Sequence, residues 1–148
     1  MSTNAPGAKT AINHELTRLP FLAGTLLRFN LLNELRQLRN QASWKRSAGR
    51  SSKTLAKYSD LHLVLVLMKS HSRMGEHHVD GRTSLHILHG RLRIHLAGRS
   101  LEACPNDLLV LEAGILHDVE ALEKSAFLIT ISWPGGTKEE RHATLGLV

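Results

Sequence analysis

The sequence predicts an all-β protein, a sandwich or barrel preceded by a short helix. Between residues 54 and 133, short apolar stretches recur at roughly 8–12-residue spacing with turn-forming residues between them, which is typical of antiparallel β folds. No helical pattern separates these stretches, and this argues against a parallel sheet crossed by helices. The chain of 148 residues is the length of one domain, and its 42% hydrophobic and 22% charged residues are ordinary for a globular protein.

The region ahead of the strands is predicted to hold a flexible tail and one amphipathic helix. Residues 1–19 are small and polar, which favours a tail. From 26 to 41, leucines recur at helical spacing between polar residues, and Asn30 is suited to cap the helix. The apolar stripe of this helix needs a partner surface, either the barrel wall or a second subunit. Trp44 stands alone in the polar connection that follows, where we expect its ring to pin a loop to the body.

Seven or eight short strands account for the rest of the folded region. Leu61–Met68 is almost continuously apolar, which indicates a strand buried on both faces. In the stretch 91–96, apolar residues alternate with arginine and histidine, so one face is apolar and the other faces water. The other strands are predicted at 54–58, 83–89, 100–103, 108–111, 118–122 and 126–133. The chain thus divides into a tail and helix at 1–53, a β domain at 54–133 and a C-terminal tail at 134–148.

Composition and cysteine content exclude several classes of protein. The single cysteine, Cys104, rules out an intrachain disulfide and a zinc site built from several cysteines, and a cytoplasmic location fits it best. No apolar run approaches the roughly 18 residues of a membrane helix, and no secretory signal is evident, so we expect no membrane partner. The net charge of +6 includes a basic cluster at 36–57, but the aromatic fraction of 4% offers few rings for stacking bases. We therefore do not expect a nucleic-acid partner.

Histidines concentrate in two segments of the predicted β domain. The first is 75–78, which reads Gly-Glu-His-His, and the second ends at His117. On a strand, residues two apart point the same way, so His77 shares a face with Val79 whereas Glu76 shares the other face with His78. Either His77, or Glu76 with His78, therefore faces the interior beside His117. A bulge near Gly75 would relax this alternation.

The second segment resembles the second motif of the cupin superfamily. That motif reads Gly-Asp, a short strand, Pro-x-Gly and then a ligand histidine. Here Asn106-Asp107 precede the strand at 108–111, and Gly114 and His117 follow at the family's spacing. The chain departs from the motif at Asn106, where glycine is usual, and at Glu112, where proline is usual.

The first segment is similar to the first cupin motif, which holds two histidines, a glutamate and a closing glycine. With the shorter family spacing His77 is the first histidine, and Val79 and Thr83 stand where the second histidine and the glutamate are usual. With the longer spacing His78 is the second histidine and Glu76 takes the place of the first. The resemblance covers residues 54–133 and is greatest to small single-domain bacterial cupins.

This resemblance implies a jelly roll, the double-stranded β-helix barrel of the cupins. Gly90 agrees with it, because this residue matches the closing glycine of the first motif. The resemblance also implies a divalent metal, Fe, Mn, Zn or Ni, and the candidate ligands are His77, His78, His117 and Glu76. Cupin barrels commonly pair, so a homodimer is expected.

Three functions remain as alternatives. The first is a cupin that binds a small-molecule ligand, and a metal in the barrel, with no reaction assigned. The second is a metal-dependent enzyme of the dioxygenase or isomerase type. The third is a metal-free ligand sensor or interaction module. No Ser-His-Asp, Cys-His or paired-carboxylate arrangement in the sequence indicates another kind of catalysis.

Without a metal, the inward-facing residues would leave a mostly apolar cavity suited to a small ligand. The residues expected to line it are Leu85, Ile87, Leu92, Ile94, Leu109, Leu111, Leu128 and Thr130. His86 is out of phase with its apolar neighbours, so we expect it on the outer sheet face. The remaining histidines are expected at surface or turn positions: His14, His62, His71, His89, His95 and His142.

Overall fold

The computed structural model describes residues 22–134, which form two short helices followed by eight strands. Helix α1 spans Leu31–Arg39 and α2 spans Ala42–Arg46. The strands are β1 Arg50–Lys57, β2 Leu61–Met68, β3 Arg82–His89, β4 Leu92–Leu96, β5 Arg99–Ala103, β6 Leu108–Leu111, β7 His117–Ala121 and β8 Ser125–Ser132. The tails predicted at 1–19 and 134–148, with His14 and His142, lie outside the described residues apart from Pro134, so the three-part division of the chain stays a prediction.

Two antiparallel sheets face each other. The larger has the strand order β1-β2-β8-β3-β6 and the smaller has the order β5-β4-β7. The last strand, β8, lies between β2 and β3, so the order in space departs from the order along the chain, as in a jelly roll. The prediction of an all-β jelly roll with a short N-terminal helical segment is confirmed.

The space between the sheets is filled by aliphatic side chains together with Met68, Phe127 and Trp133. Residues at alternate positions of each strand point into it, as the pleat of a strand requires. The fully enclosed members include Val66, Ile87, Leu92 and Phe127, each 0% exposed. Burying side chains of this size stabilises the fold by about 1.5–3 kcal/mol each. This interior core holds the two sheets together and forms the floor beneath the candidate site.

The outer face of the larger sheet carries a second core, which the helices cover. Leu35 and Leu38 of α1 are each 1% exposed and pack with Trp44, Leu65 and Leu67. The predicted helix is therefore present, and its apolar stripe rests on the barrel wall rather than on a second subunit. The predicted N-cap is also confirmed, because the Asn30 side chain accepts a hydrogen bond from the Asn33 backbone N–H at 3.0 Å. The prediction that β2 is buried on both faces holds, since it contributes to both cores.

Two predicted boundaries are wrong at the start of the β domain. Trp44 is buried as expected, but it lies in α2 rather than in a loop. Strand β1 begins at Arg50, four residues before the predicted start, because Arg50–Lys53 pair with the end of β2 despite their polar side chains. As the outermost strand of its sheet, β1 tolerates polar residues on the face that contacts water.

Three side chains lie on a different side of the barrel from the one predicted. Leu128 packs in the outer core under the helices, and Thr130 shares its side of β8, so neither lines the interior. Phe127, Ile129 and Ile131 occupy the inward positions instead. His62 is not at the surface: it is 3% exposed, with its ring edge-on to Trp133 at 4.7 Å between centroids. Within residues 22–134, no helix has the length and hydrophobicity needed to span a bilayer.

Candidate ligand and metal site

The first histidine segment runs antiparallel to β7 as an irregular edge strand. The Met74 backbone N–H donates to the Val119 carbonyl at 3.0 Å, and His77 and His117 exchange both of their backbone hydrogen bonds at 2.9 Å. Between these two points the register shifts by one residue, and Gly75 has a left-handed φ of 92°. The segment thus contains the bulge that the sequence left open at Gly75, a position where a residue without Cβ adopts this backbone at no cost.

Asp118 fixes this bulge from the β7 side. One carboxylate oxygen accepts the Gly75 backbone N–H at 2.8 Å, and the other accepts Arg73 Nε at 2.7 Å. The Asp118 side chain is only 10% exposed, so its carboxylate is largely shielded from water while it accepts these charge-assisted hydrogen bonds. The shape of residues 73–77, and with it the position of His77, depends on this carboxylate.

His77 and His117 face each other across the bulged pair. Their ring centroids are 4.4 Å apart, with the rings inclined at 62°. Val79 and Val119, two residues further along each strand, are buried in the interior core at 4% and 1% exposure. Since residues two apart share a face, both histidines point to the interior side of the barrel.

The structure therefore decides between the two open alternatives in favour of His77. Glu76 and His78 are both exposed. His78 is nevertheless near enough for its charge to lower the pKa of His117. Of the four candidate ligands, His77 and His117 are brought together, whereas Glu76 and His78 are turned to solvent.

Both rings are held in the same tautomer by backbone carbonyls. His77 Nδ1 lies 2.7 Å from the Gly75 oxygen, and His117 Nδ1 lies 2.9 Å from the Ile115 oxygen. A carbonyl oxygen only accepts hydrogen bonds, so each Nδ1 carries a proton, and in the neutral form of each ring Nε2 keeps the free lone pair. Protein metal sites orient their histidine ligands by this kind of contact.

Burial favours the neutral form of His117. Loss of solvent lowers the pKa of His117, and the nearby imidazoles of His77 and His78 lower it further. The Ile115 carbonyl and the Asp118 carboxylate act in the opposite direction without cancelling the effect, so the pKa stays below its ordinary value. His117 is therefore neutral at pH 7, as a metal ligand or hydrogen-bond acceptor must be.

The interior core next to the site is apolar. Partly buried side chains from the smaller sheet, β6 and the bulged segment pack against the interior core: Met74, Leu96, Leu101, Leu109 and Leu111. Among the described residues, Asp118 is the one buried side chain that carries a full charge, and its oxygens are already engaged by Arg73 and Gly75. Thr83, in the family's glutamate position, is buried and donates to the Gly81 carbonyl at 3.2 Å. The polar chemistry of the site thus rests on the two imidazoles.

The donor set suits part of a metal coordination shell. Two Nε2 lone pairs on one side of the barrel can fill two positions on a divalent ion, but protein metal sites usually offer about three or four donors. Within the part of the chain that the structure describes, no three His, Cys, Asp or Glu side chains are grouped so as to hold a metal. A third donor would have to come from His78 or Glu76 after a rotation, from a ligand or from water.

The loop before β6 is shaped by the residues of the second motif. Asn106 adopts a left-handed φ of 77°, which asparagine tolerates better than most residues, and this explains how it replaces the usual glycine. Asp107 accepts the Cys104 backbone N–H at 2.8 Å, so its role is to close the turn. Cys104 itself is exposed.

Sequence reasoning missed Arg73 and Asp118 as the residues that position His77. The sequence held a sign that Asp118 lies on the opposite face of β7 from His117, because it alternates with His117 and Val119 along the strand. It held no such sign for Arg73, since its contact with Asp118 spans 45 positions.

No protein-family model matches the sequence, and no curated protein matches it. Solved structures do resemble it. A cupin superfamily protein from Desulfitobacterium hafniense is 22% identical, with 78% of this chain and 97% of that chain covered and a TM-score of 0.61.

Two further structures agree with this match. A cupin-2 domain protein from Shewanella frigidimarina is 16% identical over 71% of this chain and 94% of its own, with a TM-score of 0.58. KdgF from Halomonas sp. is 22% identical over 59% of this chain and 82% of its own, with a TM-score of 0.54. Together with the two-sheet topology and the paired histidines at the expected motif positions, these likenesses establish that the chain has the cupin fold.

Proposed function

We propose that this protein is a single-domain cupin that binds a small molecule at the mouth of its barrel, with His77 and His117 as the polar anchors. One observation carries the proposal: the two imidazoles are in contact, with ring centroids 4.4 Å apart, while their Nδ1 atoms are tied to backbone carbonyls, which leaves each Nε2 for a ligand. Nothing in the packing of the barrel requires two buried or half-buried imidazoles in contact, whereas a ligand with a donor group would use both.

The proposed ligand is uncharged and largely apolar. Five partly buried apolar side chains pack against the interior core, which includes Val79 and Val119, two residues beyond His77 and His117. Arg91 and Arg93, beside and within β4, instead pair with Glu102 on the outer face of the smaller sheet, so these two cations are not offered to a carboxylate or phosphate inside. Burying an unpaired charge in such surroundings is costly.

We further propose that the histidine pair can bind a divalent metal, Fe, Mn, Zn or Ni, which His78 or Glu76, the ligand, or water would help to hold. When bound, such an ion supplies a Lewis acid. The chain's own residues contribute two neutral nitrogens, the bulge that orients them and an apolar wall. A dioxygenase or isomerase reaction would require this metal.

A metal-free ligand sensor is the second candidate, and the small number of possible metal-donor side chains at the site favours it. Among residues 22–134 only His77 and His117 meet as a pair of possible metal donors at this site. Two neutral imidazoles can also accept hydrogen bonds from a ligand hydroxyl or amide directly. The two candidates share the same residues and differ in whether ligand binding needs a metal.

Metal titration separates these candidates. Protein purified without an affinity tag and stripped with EDTA is titrated with zinc by calorimetry, alongside His77→Ala, His117→Ala and, as a control, His89→Ala, which replaces an exposed histidine at the end of β3. Metal binding at the pair predicts one site, lost or weakened at least about tenfold in the first two variants and unchanged in the control. Binding unaffected by both substitutions would reject the metal site and leave the sensor.

The ligand class is tested with matched pairs of compounds. A panel of small carboxylic acids and their methyl esters is screened for thermal stabilisation, which a ligand specific for the folded state produces by mass action. The proposal predicts that some esters stabilise the protein, that the matching acids do not, and that His117→Ala abolishes the effect. Stabilisation by acids alone would contradict an uncharged ligand.

We also propose a homodimer that pairs through the β6 edge. The apolar stripe of α1 does not support a dimer, because the barrel covers it. The dimer is supported by β6, the edge strand of the larger sheet, whose Leu108 and Val110 are 61% and 63% exposed. Light scattering should give twice the chain mass, and Val110→Lys should give the chain mass. A monomeric wild-type protein would exclude the dimer.

We propose a cytoplasmic location for this protein. Its support is the exposed thiol of Cys104, which a reducing compartment keeps free. Fractionation of cells that express the untagged chain tests it, and recovery outside the cytoplasm would overturn it.

A further inference from the structure

Positive charge is concentrated at one side of the protein. Residues 28–57, here called the basic cap, include α1, α2 and β1 and contain eight Lys or Arg residues and one Glu. Residues 58–134 contain seven Lys or Arg and nine Asp or Glu. The basic cap therefore has a formal charge of +7 and the remainder of the described chain has −2, so the charge asymmetry is a property of the helical side.

Ion pairs compensate only part of the positive charge on either side. On the barrel, Arg73, Arg91 and Arg93 form ion pairs with neighbouring carboxylates. On the cap, Lys53 pairs with Glu34. The exposed cations Arg28, Arg36, Lys45 and Arg46 make no ion pair within residues 22–134, which leaves their charge available to a partner.

Two leucines close to these cations along the chain are exposed: Leu32 within the basic cap and Leu26 just before it. Leu26 is 84% exposed and Leu32 is 63% exposed. On α1 the inward side is occupied by Leu35 and Leu38, so Leu32 shares the solvent side with Arg36, one turn later. On α2, Trp44 faces the barrel while Lys45 and Arg46 are exposed.

We propose that the basic cap docks on the surface of an anionic phospholipid bilayer. Clustered Lys and Arg attract a negatively charged membrane surface, and exposed leucines can enter the boundary between headgroups and acyl chains. The protein would lie on the membrane without spanning it, with the barrel and its histidine pair on the side away from the lipid. This docking is independent of the proposed ligand function and departs from the expectation of no membrane partner, which considered only spanning segments.

The exposed leucines favour a lipid surface over a nucleic acid. A phosphodiester backbone is recognised by cations and polar groups, and protruding leucines contribute nothing to those contacts. Stacking on bases needs exposed rings, and Trp44 of the cap is buried at 8% exposure. Charge alone would serve either partner, so the leucines decide between them.

Cosedimentation of the full chain with vesicles tests this proposal. The vesicles contain phosphatidylcholine either alone or mixed with phosphatidylserine, and binding is expected only to the mixture and to weaken as salt is raised. Because each Lys or Arg near such a surface contributes about a fivefold change in partitioning, Lys45→Gln with Arg46→Gln should weaken binding about 25-fold. Arg99→Gln with Lys124→Gln removes the same charge from exposed barrel positions and should change it less than about twofold.

The contribution of the leucines distinguishes the two kinds of partner. Leu32→Ser should weaken vesicle binding about tenfold, since it removes an exposed leucine that would otherwise enter the membrane interface. Equal losses in the two double variants would overturn the proposal, because the effect would follow net charge and not the cap. Binding to a short DNA duplex that exceeds vesicle binding and is unchanged in Leu32→Ser would overturn it in favour of a nucleic acid.

Discussion

Replacing Asp118 by Asn is expected to loosen the bulge that carries His77. Asp118 accepts the Gly75 N–H with one oxygen and Arg73 Nε with the other, from a side chain that is 10% exposed. Asparagine has the same shape, but its NH₂ group must face one of these two donors. The substitution therefore removes one hydrogen bond and the negative charge that strengthens the other.

The expected cost follows from these contacts. A hydrogen bond to a charged group is worth about 1.5–3 kcal/mol, and a buried donor left unpaired adds a desolvation penalty. We therefore expect a loss of about 2–3 kcal/mol in the free energy of unfolding, measured by urea denaturation. Zinc affinity of the histidine pair should fall in the same variant, because His77 Nδ1 is held by the carbonyl of Gly75.

Glu102→Gln provides the matched control. Glu102 also accepts from two arginines, Arg91 and Arg93, but its side chain is 43% exposed, and water screens and competes for these contacts. The urea midpoint of this variant should stay close to that of the wild type, with zinc affinity unchanged. Equal losses at Asp118 and Glu102 would refute the reasoning that the buried carboxylate fixes the site.

Three further predictions concern packing and protonation. Gly90 and Gly98 both have left-handed φ values, but a Cβ at Gly90 would overlap the β7–β8 turn, whereas a Cβ at Gly98 would meet open space. In urea unfolding, Gly98→Ala should therefore cost about 1–2 kcal/mol, and Gly90→Ala should cost at least about 2 kcal/mol more. Equal costs for the two variants would contradict this. Leu35→Ala should lower the free energy of unfolding by about 2–5 kcal/mol because this side chain is 1% exposed, whereas the exposed Leu32 should tolerate Leu32→Ala with little loss. A small loss in Leu35→Ala would mean that the helix does not rest on the barrel. Burial lowers the pKa of His117, so as pH falls the unfolded chain takes up a proton at this residue before the folded protein does. The free energy of unfolding of the metal-free protein should therefore be highest above about pH 6.5 and fall as pH drops through the lower folded pKa. His117→Gln should show a shallower decline.

The fold was predictable because its signals are local. Leu61–Met68 and Leu108–Leu111 are strands with the predicted boundaries, since both are apolar runs bounded by turn residues. Arg50–Lys53 carry no such signal and are strand only because β2 offers them a partner across the sheet. The inward side of β8 was predicted wrongly because Leu128 and Ile129 are both apolar, so the sequence alternation does not mark which of them faces the interior.

The site was predictable in its residues but not in its geometry. Spacing identified His77 and His117, yet the strand face that points inward depends on the bridge between them, a contact across 40 positions. Asp118 and Arg73, which fix that bridge, meet only in the folded chain. His62 was misassigned for the same reason, because the ring that covers it, Trp133, comes from the far end of the barrel domain.

The central claim is that His77 and His117 form one site with both Nε2 atoms free. Long-range ¹H–¹⁵N correlation spectra of the imidazoles report the protonated nitrogen of each ring directly. In the neutral form of both rings we predict the proton on Nδ1, and we predict that both Nε2 signals shift together as zinc is added. A proton on Nε2 of either ring, or a response by only one of the two, would contradict it.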